Sequence, residues 1–276
     1  MKTILVPTDF SKVARNAIDY AAEMALRTKS KLTLIHVYHI PVVSSEAPVV
    51  LPVWGDIEKD CMASLKKIKS SIQRKYGKDL IVDCICQMGF AVDEIIKQFG
   101  EEKETELIVM GMSGAGYMGE KIIGSNATEL IKRSKCPVLI INENVKFKTI
   151  KKIVLALDYL NVPDKSAIEL LKKLIKIFKA RLFVVNIVDE IKQLPSVKKA
   201  ANCVLIEHLL EGINPSFVFI KNEDTINGIN EFVSKEKADM IVFIPRKHGF
   251  IKSIFNESNT KRMAFHTSIP LLTLHE

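Results

Sequence analysis

Three glycines and a serine spaced Gly-x2-Gly-x9-Gly-Ser, at Gly111, Gly114, Gly124 and Ser125, are the residues best placed to hold a ligand. They follow an apolar run, Leu107-Ile-Val-Met110, and precede a helical segment from Asn126 to Lys135. Glycine where a strand hands over to a loop lets the backbone approach a bulky anion with no Cβ in the way. A helix opening at Gly124-Ser125 presents unpaired N–H groups and the positive end of its dipole, both suited to phosphate. The segment reads as a phosphate-cradling loop closed by a helix start. It contains no Walker lysine, which argues against a motor-type or switch-type NTPase.

Other reactive residue types are sparse. Cys61, Cys84, Cys86, Cys136 and Cys203 are odd in number and lack framework spacing. Thiols acting mostly as small apolar residues, in a reducing cytoplasmic setting, are therefore expected. Cys84 and Cys86 stand two apart in an extended stretch, so both should face one side, and no matching Cys-x-x-Cys or histidine cluster makes them a metal site. His36 and His39 flank the end of a strand without further ligands nearby and are expected to pack or lie at the surface. No general base or nucleophile stands among the glycine-motif residues, so binding is expected rather than catalysis.

These residues need elements to position them, and the chain supplies the elements twice. Ile4-Leu-Val-Pro-Thr-Asp9 matches Ile153-Val-Leu-Ala-Leu-Asp158, each a strand ending in aspartate before a helix. Leu32 to Val37 matches Arg181 to Ile187, Leu107 to Met110 matches Met240 to Phe243, and Cys136 to Ile140 matches Ile269 to Thr273. Amphipathic segments such as Ala14 to Arg27 and Lys165 to Phe178 run between them. Unbroken Val/Ile/Leu strands alternating with helices predict parallel sheets covered on both faces. Each repeat is then an open, doubly wound α/β unit of about five strands, and its ligand belongs outside the strands' carboxyl ends, at the switch point. Asp9, Val37 and the Gly111 loop all fall at such ends. Two domains, 1–146 and 147–276, suit the length of 276 residues.

The glycine motif and the tandem repeat resemble the universal stress protein family over nearly the whole chain. The resemblance implies a cytoplasmic stress-response protein whose first domain binds an adenine nucleotide, ATP with a divalent cation such as Mg. It places Pro7, Thr8, Asp9 and Val37 around adenine, and Met110, Gly111, Ser113, Gly114, Gly124, Ser125, Asn126 and Ala127 along ribose and phosphates. Ser113 stands where many members carry histidine or arginine, and Asn126-Ala127 where a Val-Thr pair is common. The missing hydroxyl at Ala127 should weaken phosphate binding by about 1 kcal/mol. In the second repeat Ile244, Lys247 and Glu257 align with the motif glycines and only Ser258 survives, so that domain is expected to be nucleotide-free and structural or regulatory. Both Asp9 and Asp158 also have a plainer reading as helix N-caps.

Two other functions stay open: a slow ATP hydrolase in which Ser113 or Ser125 orients phosphate, and a carrier or scaffold holding a non-nucleotide molecule in a hydrophobic pocket of the second domain. The net charge of +8 sits on lysines at helical spacing among apolar residues, a solvated-face pattern, so no nucleic-acid partner is expected. No run approaches the roughly 18–20 apolar residues of a membrane span, and no membrane partner is expected. The stretch from Pro41 to Gly55, with Trp54, is expected to act as a flap over the nucleotide or as an interdomain brace. The apolar final strands, Cys136 to Ile141 and Ile269 to Leu274, invite pairing. Members of the family commonly dimerise through this strand, and the resemblance implies that the two meet antiparallel in a pseudo-twofold intrachain pair, with homodimerisation a further expectation.

Overall fold

A computed structural model describes residues 2–39, 54–101, 104–112, 124–159, 161–188, 197–245 and 269–275. In the first half, β1 (Thr3–Pro7), α1 (Lys12–Thr28), β2 (Lys31–Tyr38), α2 (Trp54–Tyr76), β3 (Val82–Met88), α3 (Ala91–Glu101), β4 (Thr105–Met112), α4 (Ser125–Arg133) and β5 (Val138–Asn142) follow one another. The second half contributes β6 (Lys152–Ala156), α5 (Lys165–Phe178), β7 (Arg181–Val188), α6 (Val197–Leu209), β8 (Ser216–Lys221), α7 (Thr225–Glu236), β9 (Met240–Phe243) and β10 (Leu271–Thr273). All matched strand pairs of the repeat are present. Residues 40–53, which hold most of the expected flap or brace, lie outside the described residues, while Trp54 and Gly55 open α2.

The strands form one ten-stranded sheet in the order β3-β2-β1-β4-β5-β10-β9-β6-β7-β8. Every pairing is parallel except the central one, where β10 runs antiparallel to β5 with Leu271 opposite Ile140 and Thr273 opposite Val138. This is the expected pseudo-twofold pair of final strands. Because that one pairing is antiparallel, the strands of the two halves point in opposite directions. Their carboxyl ends therefore open on opposite edges of the sheet.

Side-chain alternation divides the core in two. Ile4 and Val6 of β1, with Leu107 and Val109 of β4, pack towards α1 and α2, in a layer that continues under α5 and α6. Leu5, Ile108 and Val138 face α3, α4 and α7. Burial on both faces is why these strands carry no polar alternation. Ser11 caps α1 by accepting from the Ala14 N–H at 3.1 Å, and α1 ends at Lys29 in the left-handed conformation (φ 53°). The repeat preserves that ending, with Lys179 closing α5 at φ 52°.

The cap positions revise two plainer readings. Asp9 is not the N-cap of α1; it accepts from the Ser11 N–H at 3.0 Å and so shapes the turn leading into the cap. Asp158 is not a cap either, since the N-cap position of α5 is Asp164. The thiols also depart from expectation. Cys61 of α2 and Cys86 of β3 are disulfide-bonded, while Cys84, Cys136 and Cys203 are free. Geometry across 25 residues brings them together, which spacing could not reveal.

The connection between the halves is anchored by polar and aromatic contacts. Buried Asn16 donates through Nδ2 to the carbonyls of Asn142 and Val145, both at 2.9 Å. Phe147 lies between Tyr20 of α1 and Phe178 of α5, at centroid distances of 5.1 and 6.2 Å. Asp239, just before β9, accepts from the amides of Lys151 and Lys152 and pairs with Lys148 at 2.9 Å. Burial works against its charge, but the Lys148 ammonium and the two amides win and hold its carboxyl below the usual range.

A group depressed in the folded state stabilises above its unfolded pKa and loses that effect as pH falls through the folded value. Asp239→Asn should therefore melt lower than wild type at pH 7 by the equivalent of about 1–3 kcal/mol. The two melting curves should converge below about pH 4. Equal melting temperatures at pH 7 would show that this charge does not secure the connection.

Candidate functional site

At the switch point of the first half, β1 and β4 are neighbours whose chain connections leave in opposite directions. A cleft of about 210 Å³ opens there, beyond the strands' carboxyl ends. Its walls include Pro7 at the end of β1, Thr8 and Asp9 after it, Val37 in β2, Met110 and Gly111 in β4, and Gly124, Ser125, Asn126 and Ala127 at the start of α4. Ten expected residues from four separate segments thus meet in one place. Ser113 and Gly114 lie outside the described residues.

The β1 corner is tightly built. Thr8 is buried, its N–H donates to the Ile35 carbonyl at 2.9 Å, and its Oγ1 accepts from the Phe10 N–H at 3.0 Å. The His36 ring bonds through Nδ1 to the Thr8 carbonyl at 2.7 Å, so that nitrogen is the donor. Phe10, at φ 64°, stacks on the His36 ring with centroids 4.4 Å apart. Positive φ is costly for a bulky residue and persists only where surrounding contacts hold it. Here the Thr8 hydroxyl and the His36 ring do so. Asp9 is left exposed at the rim.

His36 is therefore a cleft residue, not merely a packing or surface histidine. The repeat carried a usable signal: Asn186 occupies the corresponding place in β7 and donates through Nδ2 to the Leu157 carbonyl at 2.7 Å. The backbone bond from the Leu157 N–H to the Val185 carbonyl, at 3.0 Å, matches the Thr8–Ile35 bond. Tyr159, at φ 52°, repeats the conformation of Phe10. A polar side chain one residue beyond a buried strand pair, in both copies, is what sequence alone could have shown.

At Gly111, which lines the cleft, the fold adds a second reason for glycine. A Cβ there would lie 2.8 Å from Val13 Cγ1 and 2.9 Å from the Val13 carbonyl oxygen. One close approach that requires glycine is made by the first turn of α1. In the second half α5 starts seven residues after Asp158, against three between Asp9 and α1. Fully buried Ile244 takes the aligned position there. Gly111→Ala should cost about 1–3 kcal/mol, because part of the obstruction is the Val13 backbone, which cannot swing away. Thermal melting within a degree of wild type would contradict that close contact.

Gly124 occupies the N-cap position of α4 and gives it no side-chain cap. Its carbonyl accepts from the Thr128 N–H at 3.0 Å, so the helix is properly started. The first-turn amides of Ser125, Asn126 and Ala127 receive nothing from the cap residue, at an end where the dipole is positive. Basic Lys132 and Arg133 in the last turn complement the other end. The equivalent second-half cleft, at Ala156, Leu157, Asp158, Asn186 and Lys199, is about 100 Å³. Lys247, Glu257 and Ser258 lie outside the described residues.

The family model of the universal stress protein family matches residues 1–142, ending on the last residue of β5. The chain belongs to the universal stress protein family. A universal stress protein of Methanocaldococcus jannaschii is 30% identical over 152 residues, covering 52% of this chain and 84% of the relative. Another from Bacillus subtilis is 26% identical over 147 residues, covering 50% and 97%. The crystal structure of a universal stress protein from Archaeoglobus fulgidus superposes on 99% of this chain and 98% of its own with a TM-score of 0.74, at 18% identity. That likeness extends the fold across both halves. This universal stress protein is thus a tandem of two α/β units joined through their last strands. Among the described residues no helix is long and apolar enough to cross a membrane.

Proposed function

We propose that this chain binds one adenine nucleotide, ATP, in the cleft of its first domain, and serves as a cytoplasmic stress-response protein whose second domain is structural or regulatory. We place the domains at 1–146 and 147–276, with the boundary in the connection between β5 and β6. The observation that carries the reading is the convergence of the β1 corner, the end of β4 and the uncapped start of α4 on one cleft. Adenine fits beside Pro7, Thr8, Asp9 and Val37, where Ile35 and Ile95 supply apolar walls. The phosphates would lie towards Gly124 and Ser125, where helix amides and dipole favour anions.

Asp9 is the one carboxylate among the described cleft residues, and the Ser11 amide engages its Oδ1. That suits a fixed acceptor for the nucleoside better than a metal cage. A Mg ion would ride on the phosphates and their waters, its usual manner of binding. Passive binding is favoured over hydrolysis because no nucleophile paired with a base stands among the described cleft residues. Calorimetry should give one ATP per chain. Two equivalent sites, or no binding with and without Mg, would overturn the assignment. The final strands already pair within the chain, so a homodimer would need another surface.

A further inference from the structure

The Cys61–Cys86 bond joins a helix to the outermost strand at one particular level of the sheet. In the β2–β3 register, Cys86 stands opposite His36. Both positions belong to the face that carries α1 and α2, where Cys86 and Phe10 pack against the same core. The disulfide therefore holds α2 against β3 in the row that also contains the cleft histidine. His36 in turn bonds the Thr8 carbonyl and stacks on Phe10, the strained corner of the cleft. A third thiol, Cys84, lies two residues earlier on that face and lines an open groove with Met62, Lys66 and Lys69 of α2.

Accessibility differs among these cysteines in a useful way. The edge strand β3 has a sheet neighbour on one side only. Cys86 is partly exposed, whereas Cys61 is 6% exposed. Burial pushes the Cys84 thiol up, against the opposing influence of Lys69 and Lys66, so it stays protonated and is a poor nucleophile. Lys31 of the groove pairs with Asp83 at 2.8 Å, and Lys66 and Lys69 leave the lining net positive, which favours a small molecule carrying carboxylates. The Cα atoms of Cys61 and Cys86 are 6.4 Å apart, within the range a disulfide needs.

We infer that Cys61 and Cys86 are a redox-responsive clamp, closed by a carboxylate-bearing low-molecular-weight disulfide, that fixes α2 beside His36 and thereby retunes the nucleotide cleft. The coupling to nucleotide rests on the function proposed above; the clamp itself does not. Closure starts when the Cys86 thiolate attacks one sulfur of the small disulfide and expels a small thiolate. The Cys61 thiolate then attacks Cys86 Sγ in the mixed disulfide, forming the Cys61–Cys86 bond and expelling the second small thiolate. Two electrons pass from the cysteine pair to the small disulfide. The two thiol protons end on the two small thiols released. In a reducing compartment such a bond is transient and signals oxidation instead of stapling a fold.

The test uses the full chain, equilibrated in oxidised or in reduced glutathione. Alkylation and mass spectrometry should show two thiols protected in the oxidised form, Cys61 and Cys86, and all five reactive after denaturation of the reduced form. Hydrogen exchange of α2 and β3 should be at least tenfold slower in the oxidised form. The Kd for ATP should differ at least threefold between forms, and Cys61→Ser should erase both differences. Cys84→Ser should preserve them. Failure to form the bond, loss of the bond in Cys84→Ser, or equal exchange in both forms overturns the clamp. Equal ATP affinities overturn the coupling. Redox-dependent exchange without ATP binding in either form supports the clamp while overturning the nucleotide reading.

Discussion

Replacing Val138 and Leu271 together by lysine should lower the melting temperature by roughly 10–20 °C. Val138 is fully buried and Leu271 nearly so, in the two strands that join the halves. Losing burial of two such side chains costs about 1.5–3 kcal/mol each. Burying two ammonium groups beside one another adds to that unless the strands separate. A total near 5 kcal/mol, at roughly 2–4 °C per kcal/mol for a molecule of this size, gives the expected range. Separation also breaks the bond from Thr273 Oγ1 to the Val138 carbonyl and the one from the His275 ring to the Ile131 carbonyl. Differential scanning calorimetry should then show two transitions in place of one. A variant that melts like wild type would mean that β5 and β10 do not hold the halves together.

Gly124→Glu should abolish measurable ATP binding while leaving the fold intact. Gly124 has φ −57° and ψ 152°, extended backbone open to any residue, so the added side chain meets no conformational penalty. A carboxylate at a helix N-terminus stabilises the helix by about 0.3–1 kcal/mol. The same carboxylate occupies the position proposed for phosphate and repels it. A loss of at least ~100-fold in affinity, about 2.7 kcal/mol, is expected. Gly124→Ala should lose much less, because it adds bulk without charge. Calorimetry paired with thermal melting separates the effects: reduced binding with an unchanged or raised melting temperature supports phosphate at α4. Undiminished binding by Gly124→Glu would show that the phosphates lie elsewhere.

Much of the fold, and ten residues lining the candidate cleft, were legible because they depend on local patterns. Unbroken apolar strands, helices at three- and four-residue spacing and the matched repeat specify two doubly wound units. The rule that ligands lie beyond strand ends then brings Pro7 to Asp9, Val37, Gly111 and Gly124 to Ala127 to one edge. Helix α5 was readable to the residue because its apolar stripe runs without interruption from Ala167 to Phe178. The antiparallel junction was also accessible, since an apolar terminal strand invites a partner and the family resemblance implied that the two last strands pair.

Tertiary structure decided what depends on distance between segments far apart in the chain. Gly111 is glycine because Val13, nearly a hundred residues earlier, comes within contact distance of where its Cβ would be. His36 belongs to the cleft because the Thr8 carbonyl faces its ring across two strands. Cys61 and Cys86 meet because α2 folds back over an edge strand, which their spacing does not encode. Neither Asp9 nor Asp158 caps a helix, because the cap positions fall to Ser11 and Asp164, whose backbone is extended just before each first turn. Periodicity reports which face of an element is buried. It carries no information on which atom of a distant element arrives there, and that atom sets whether a glycine, a histidine or a thiol is structural or serves the site.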